Sequence, residues 1–344
     1  MERSPLERFK DALRWQPTGR RCCLPMVFGY AATLAGLKIR DYVTEAEAQV
    51  YSQLQAQRCF GYDGVFVYGG NAVEVESLGV PLEFPADDYP YVQPGYQPPS
   101  PDILLKKPLP DPAKHGRMPQ LLKAARILRR EVGDKLPVIA VVVGPVSIVA
   151  QILGLEKTLF LLADNPRKLQ EVLSYLAPLS RNFALALLDA GAQVIMLMDP
   201  VASQSIIPPS IFREVELPLI HSIFRDCKTA GALACWLAIT GQSRDLLPSY
   251  PQAGADLATV DYEVPLKEAF NLLPHTVVVG NIKPFSFVQL DPGEIKEEAR
   301  TLLRLAASQR GYILGTGCEL PLNSRPENLE ALMAAREEKE DYGT

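Results

Sequence analysis

The sequence predicts an α/β fold, a (β/α)8 barrel built as a single domain. Eight short apolar segments recur along the 344 residues, and most are followed by a helical stretch. Several are continuously apolar, as in Val-Ile-Ala-Val-Val-Val at 138–143, which suits a parallel strand covered on both faces. No glycine-rich phosphate fingerprint follows an early segment, which weakens the alternative, a doubly wound open sheet.

Residues 6–15 have helical spacing and end near Pro17. A short apolar strand is expected at 22–28, a helix at 45–60 and a second strand at 64–68. Prolines then crowd a stretch at about 84–117, which reads as a long excursion rather than a domain linker. A helix at about 120–131 leads to a third strand at 137–143, closed by Gly144 and Pro145. Helices follow at 147–153, 156–163 and 166–189, then a strand at 193–198 that ends at Asp199. A helix at 209–226 precedes the strand 233–239. After a short helix come the strand 256–260, another helix and the strand 276–279. The helix 292–308, the strand 312–314 and a helix at 323–338 complete the pattern.

A hydrophobic fraction of 47% allows a sizeable core, and no apolar run reaches the roughly 20 residues that span a bilayer. Residues 1–21 alternate charged and apolar types and lack the apolar stretch of a signal peptide. The expected setting is cytoplasmic. A net charge of -5 without a basic stripe predicts no nucleic-acid partner, and no membrane partner is expected either. Six cysteines with no Cys-x-x-Cys pair do not form a secreted disulfide framework.

In such a barrel, chemistry collects at the C-terminal ends of the strands. Those ends supply Tyr30, Asn71 with Glu74, Gly144, Asp199, Gln242, Asp261, Asn281, and Cys318 with Glu319. Asp199, Glu74 and Asp261 are the candidate catalytic carboxylates. Tyr30, Asn71, Thr240, Gln242 and Asn281 are the candidate substrate-binding groups. Each carboxylate also has a structural reading: Asp199 and Asp261 as cap or turn residues, Glu74 as an acid favoured at a helix N-terminus. The three histidines, His115, His221 and His275, lie away from these ends, so a serine–histidine–carboxylate triad is not expected. Cys318 follows Gly315 and Gly317, which let a ligand approach the backbone.

Six stretches carry a resemblance to a known family: ERFKDALRWQPTGRRCCLPMV (7–27), VEVESLGVPLEFPADDYP (73–90), VVGPVSIVAQILG (142–154), AGAQVIMLMDPVAS (190–203), VVVGNIKP (277–284) and ILGTGCELPLNSRPENLEAL (313–332). In these the chain resembles the uroporphyrinogen decarboxylase superfamily, and more closely its corrinoid-dependent methyltransferase branch. The resemblance implies an eight-stranded barrel, a methyl donor or acceptor of small size, and cobalamin carried by a separate corrinoid protein. The decarboxylases carry an Arg-Gln-Ala-Gly-Arg segment whose arginines hold substrate carboxylates. Here residues 26–32 read Met-Val-Phe-Gly-Tyr-Ala-Ala, with no arginine. The methyltransferase branch holds zinc through His-x-Cys after the fifth strand and Cys after the eighth. The third position matches Cys318. The first two fall on Ala238 and Thr240, an apolar residue and a poor ligand. Cys235 lies on the other face of its strand and cannot substitute. Three expectations stay open: a metal held by Cys318 with carboxylates, methyl transfer without a zinc-bound thiolate, or a tetrapyrrole- or corrinoid-binding barrel without turnover. Decarboxylation of a smaller acid is a further alternative.

Overall fold

The structure, a computed structural model, describes residues 3–16 and 19–337. Pro17, the expected stop of the first helix, lies outside the described residues, as does Glu338 at the end of the last. Seven parallel strands form one curled sheet in the order β1 (Val65–Val67), β4 (Val138–Val143), β5 (Val194–Met198), β6 (Ala234–Ala238), β7 (Leu257–Thr259), β8 (Val277–Ile282), β9 (Tyr312–Thr316). The intervening β2 (Leu82–Glu83) and β3 (Tyr91–Val92) make a separate antiparallel pair within the proline-rich excursion. Helices join the sheet strands, with Ala46–Phe60, Met118–Val132 and Pro166–Asp189 among the longest.

Side chains alternate across the sheet as a two-residue period requires. Phe66, Ile139, Val141, Val194, Met196, Met198, Trp236, Ala238, Val279 and Ile313 pack into one inner cluster. Val67, Ala140, Ile195, Leu197, Cys235, Val278 and Leu314 face the outer core under the helices. Cys235 and Ala238 therefore do lie on opposite faces.

The expected first strand, 22–28, is not a continuous strand. It makes two isolated parallel bridges toward the β9 side, Cys23 with Leu314 and Met26 with Glu319. On its other side Asp63 N–H donates to the Cys23 carbonyl at 2.9 Å. Pro25 has no N–H, and Val27 turns its own N–H back to the Pro25 carbonyl, so the ladder cannot propagate. Its alternation survives: Cys22, Leu24, Met26 and Phe28 join the inner cluster.

Two further departures bear on the site. The expected helix 209–226 is broken into Pro209–Ile211, a π-helical turn Phe212–Glu216, and Leu217–Thr229. Pro218 cannot donate, and the wide turn accommodates the missing bond just before it. Short helices at Tyr30–Leu34 and Ile39–Thr44 were not expected. Among the described residues no single helix is long and apolar enough to cross a membrane.

Candidate active site at the strand C-termini

The C-terminal ends of the strands open on an aromatic floor. Met26, Phe28, Tyr68 and Met198 form its inner wall, and Tyr89 packs onto it from the excursion. Phe28 and Tyr68 have ring centroids 4.5 Å apart, and Tyr68 and Tyr89 5.5 Å apart. Tyr89 is fixed by Gly29 N–H, which donates to its hydroxyl at 2.7 Å. The Tyr68 hydroxyl donates to Asn71 Oδ1 at 3.0 Å. An Ala at position 29 would place its Cβ 2.8 Å from the Tyr89 ring carbon, so glycine is what lets the ring approach.

The candidate carboxylates differ in how they are held. Asp199, fully buried, accepts from Val146 N–H at 3.0 Å, Ser147 N–H at 2.9 Å and the Ser147 hydroxyl at 2.5 Å. It thereby caps the helix Pro145–Leu153 from the end of β5. Glu216, delivered by the π-helical turn, is buried beside it, and neither Glu216 oxygen has a hydrogen-bond partner among the described residues. Burial raises both acids. Glu216 rises further because the Asp199 charge acts on it, while three donors favour the ionised Asp199. Of the two acids, which titrate together, Glu216 is the one raised further.

Glu74, in the helix Val73–Ser77, accepts from Val143 N–H at 2.8 Å. Burial pushes it up to about 7, opposed by that bond and by the Arg117 charge. Asp261 accepts from Gly241 N–H at 2.8 Å and from Glu263 N–H at 3.1 Å, so it ties the loops after β6 and β7 together. Burial raises it as well.

The other predicted residues do not all converge. Thr240 and Cys318 are neighbours: the Thr240 hydroxyl partly offsets the burial that raises the Cys318 thiol. Gln242 is exposed at the rim, and its carbonyl accepts from Gln204 N–H at 3.0 Å and the Ser203 hydroxyl at 2.9 Å. Asn281 turns away; its amide donates to the carbonyls of Asp261 at 3.1 Å and Val264 at 2.7 Å. It also lines a separate cavity of about 500 Å³ with Tyr262, Lys283 and Glu298. Tyr30 lies in the outer core, and its buried hydroxyl has no partner among the described residues.

Cys318 and Glu319 stand together after β9. Burial pushes the Cys318 thiol up to about 12, with the Glu319 charge adding to it. Glu319 rises to about 8, first from burial and then from Asp88. Its charge in turn raises Tyr68 and Tyr89. Sequence reasoning placed Glu319 at a strand end but gave it no role. It missed Tyr68, Tyr89 and Glu216. The signal for Glu319 was its adjacency to Cys318; Tyr89 offered none, because its partner Gly29 lies 60 residues away.

The zinc expected by resemblance does not fit these donors. Ala238 ends β6 with a methyl group, Thr240 offers a neutral hydroxyl, and Cys318 is held as a thiol. Among the described residues no group of three or more His, Cys, Asp or Glu could hold a metal ion.

The family model of uroporphyrinogen decarboxylase (URO-D) matches residues 4–339. The chain belongs to this family. Methylcobamide:CoM methyltransferase MtbA of Methanosarcina acetivorans is 23% identical over 347 residues, covering 96% of this chain and 97% of the relative. MtaA of Methanosarcina barkeri, also a methylcobamide:CoM methyltransferase, is 26% identical over 231 residues, and the match spans 66% of that relative's length. A uroporphyrinogen decarboxylase of Trichodesmium erythraeum is 24% identical, over 85% of this chain and 82% of its own. These relatives are enzymes, and so is this family member. In structure, a methyltransferase from Methanosarcina mazei superposes with a TM-score of 0.87 over 97% of this chain and 98% of its own at 23% identity, which shows a shared fold.

Proposed function

We propose that this URO-D family member transfers a methyl group between a small, non-thiol methylated compound and the cobalt of a corrinoid presented by a separate protein. The observation that supports this reading is the composition of the mouth. It has an aromatic and thioether floor, a neutral thiol, and residues 26–32 without an arginine where the decarboxylases carry theirs. An acid-rich porphyrinogen needs cationic partners. A thiol acceptor needs activation as thiolate, and the donor set does not provide the zinc for it. The corrinoid supplies the methyl-carrying cobalt; the chain supplies the enclosure.

In this reading segment 22–28 is the eighth stave of a closed barrel, despite its sparse hydrogen bonds. Phe28, Tyr68, Tyr89 and Met198 exclude water around the reacting methyl. Asn71, Thr240 and Gln242 contact the substrate at the rim. Glu74 and Asp261 hold the loops that carry those groups, and Asp199 holds the helix Pro145–Leu153 at its start. Tyr30 and Asn281 act from behind, through packing. Cys318 touches the ligand as a thiol.

The test is methyl exchange with reduced cobalamin and with a corrinoid protein, followed by absorbance, across methyl ethers, methylamines, methylated thiols and methylfolate. Exchange with a non-thiol donor supports the reading. Binding of the corrinoid without exchange from any donor makes the chain a binding protein. Carbon dioxide release without cobalamin makes it a decarboxylase.

A further inference from the structure

The cavity of about 500 Å³ shares no residue with the aromatic floor. Its size falls in the range of small-molecule pockets, about 300–1,000 Å³, which are mostly apolar with a few polar groups that fix orientation. Three segments line it. The turn after β7 and the start of the helix Leu266–Leu272 bring Val264 and Leu266. The helix Pro292–Leu305 brings Glu298, Leu302 and Leu305, which recur at helical spacing and so share one face. The end of β8 and the turn after it bring Asn281, Lys283 and Ser286. The polar groups among these are not spent on the fold. Asn281 and Ser286 are each 6% exposed. The Asn281 amide nitrogen is used, on the carbonyls of Asp261 and Val264, but its Oδ1 accepts no hydrogen bond among the described residues. The Ser286 hydroxyl has no partner there either. Buried polar groups are normally paired, so two open ones on a cavity leave places for the groups of a ligand. Lys283 is half-buried, with its ammonium 5.4 Å from the centroid of the Tyr262 ring, and it forms no ion pair among the described residues. Glu298 is half-buried on the same cavity; burial raises it and Lys283 opposes the rise, yet no ion pair joins the two. One cation and one acid thus face the same space without neutralising each other. Lys267, exposed, adds a positive charge at the edge.

We propose that this cavity is a second binding site, for a free α-amino acid with a large apolar side chain. The Lys283 ammonium and the Ser286 hydroxyl take its carboxylate. Glu298 and the Asn281 Oδ1, both acceptors, take its ammonium group. The side chain lies against Val264, Leu266, Leu302 and Leu305. A simple anion would meet the like charge of Glu298, and a simple cation that of Lys283, so a molecule carrying both charges is the complementary one. Glycine or alanine would leave the apolar lining uncovered, and a charged side chain would be desolvated against it without a partner. The inference goes beyond the methyl-transfer reading and does not rest on it.

The experiment is isothermal titration calorimetry of the full chain, with L-leucine, L-methionine and L-phenylalanine as probes. Expected is saturable binding of at least one of them at one site per chain. Two analogues of leucine divide the charges: 4-methylpentanoate lacks the ammonium and 3-methylbutylamine lacks the carboxylate. Each should bind wild type at least about tenfold more weakly than leucine, the loss that goes with one charge-assisted hydrogen bond. K283Q and E298Q should each weaken amino-acid binding by about tenfold as well. Leu302→Trp, which fills the apolar side of the cavity, should abolish it. Urea midpoints show whether each variant is folded, and the analogues on wild type decide the matter for any that is not. No saturable binding of the three amino acids at millimolar concentration overturns the proposal. So does an analogue that binds as tightly as leucine, or an unchanged affinity in K283Q, E298Q or Leu302→Trp. None of these outcomes bears on methyl transfer at the mouth, which the exchange assay tests separately.

Discussion

Two acids at opposite ends of the sheet are held in opposite ways. Asp63, just before β1, is fully buried and saturated. Arg8 donates to it at 2.5 Å, Arg336 at 2.8 Å and Cys23 N–H at 2.8 Å. Glu319, half-buried just after β9, accepts no hydrogen bond among the described residues. The first acid joins the helices Pro5–Leu13 and Pro326–Glu337 to the sheet. The second is tied to no element of the fold. The same functional group is a structural anchor at the N-terminal end of the strands and an unpartnered acid at the C-terminal end. What separates the two roles is whether the fold supplies donors for the charge.

The sharpest way to break the contrast is to supply partners at the mouth. A chain carrying Ala238→His together with Thr240→Cys would present two ligands beside Cys318. It is expected to bind one zinc per chain, where wild type binds none, with an affinity on the order of 10 kcal/mol if the geometry matches a structural site. Elemental analysis after dialysis measures it. Removing partners at the other end comes next. Asp63→Ala leaves Arg8 and Arg336 buried without a counter-charge and should cost about 3–5 kcal/mol in urea unfolding. Methyl-transfer activity per folded molecule should hold.

The pH dependence of stability separates the two ends without any large change of structure. Glu74 and Glu319 have folded-state values raised to about 7 and about 8 from the ordinary 4.5. A raised acid favours the protonated fold. Its stabilising contribution is complete below the unfolded value and is lost as pH climbs through the folded one. Wild type should therefore weaken between about pH 5 and pH 9, by at most about 3–5 kcal/mol per group before solvent screening. Urea midpoints of Glu74→Gln and Glu319→Gln should each show a flatter profile. Glu216→Gln should flatten it too, because Glu216 is raised by burial and by Asp199. The smallest effect is expected inside the inner cluster. Trp236→Phe removes the indole that donates to the Thr259 hydroxyl at 2.9 Å and should cost about 1–2 kcal/mol in the same assay.

Much of the fold was legible because strand order and side-chain period are local. Residues 138–143 and 194–198 announce parallel strands by their apolar runs, and both are strands with alternate residues in the inner cluster. Pro25 lay in plain view as a reason for segment 22–28 to miss its ladder. Reading the run as a strand gave its apolar pattern more weight than its one missing N–H. The π-helical turn at Phe212–Glu216 was legible only as the mid-helix Pro218. That the turn would carry Glu216 to Asp199 was not legible, because nothing local encodes where a widened turn points. The site was legible as a set of strand ends, from Asn71 to Cys318. Which of those groups face inward was not. Asn281 and Tyr30 sit at the expected positions and turn outward, and that choice is made by the carbonyls and helices they meet.

Tyr89 reaches the floor from the proline-rich excursion, held there by one backbone N–H of Gly29. That part of the aromatic cluster is thus attached to the sheet like an interchangeable cassette. An excursion of different length or tip residue, grafted between the same flanking elements, would alter the shape presented over the strand ends while the strands and their carboxyls stay as they are. Adaptation to new substrates can proceed by exchanging that segment, without reopening the packing solution of the sheet beneath it.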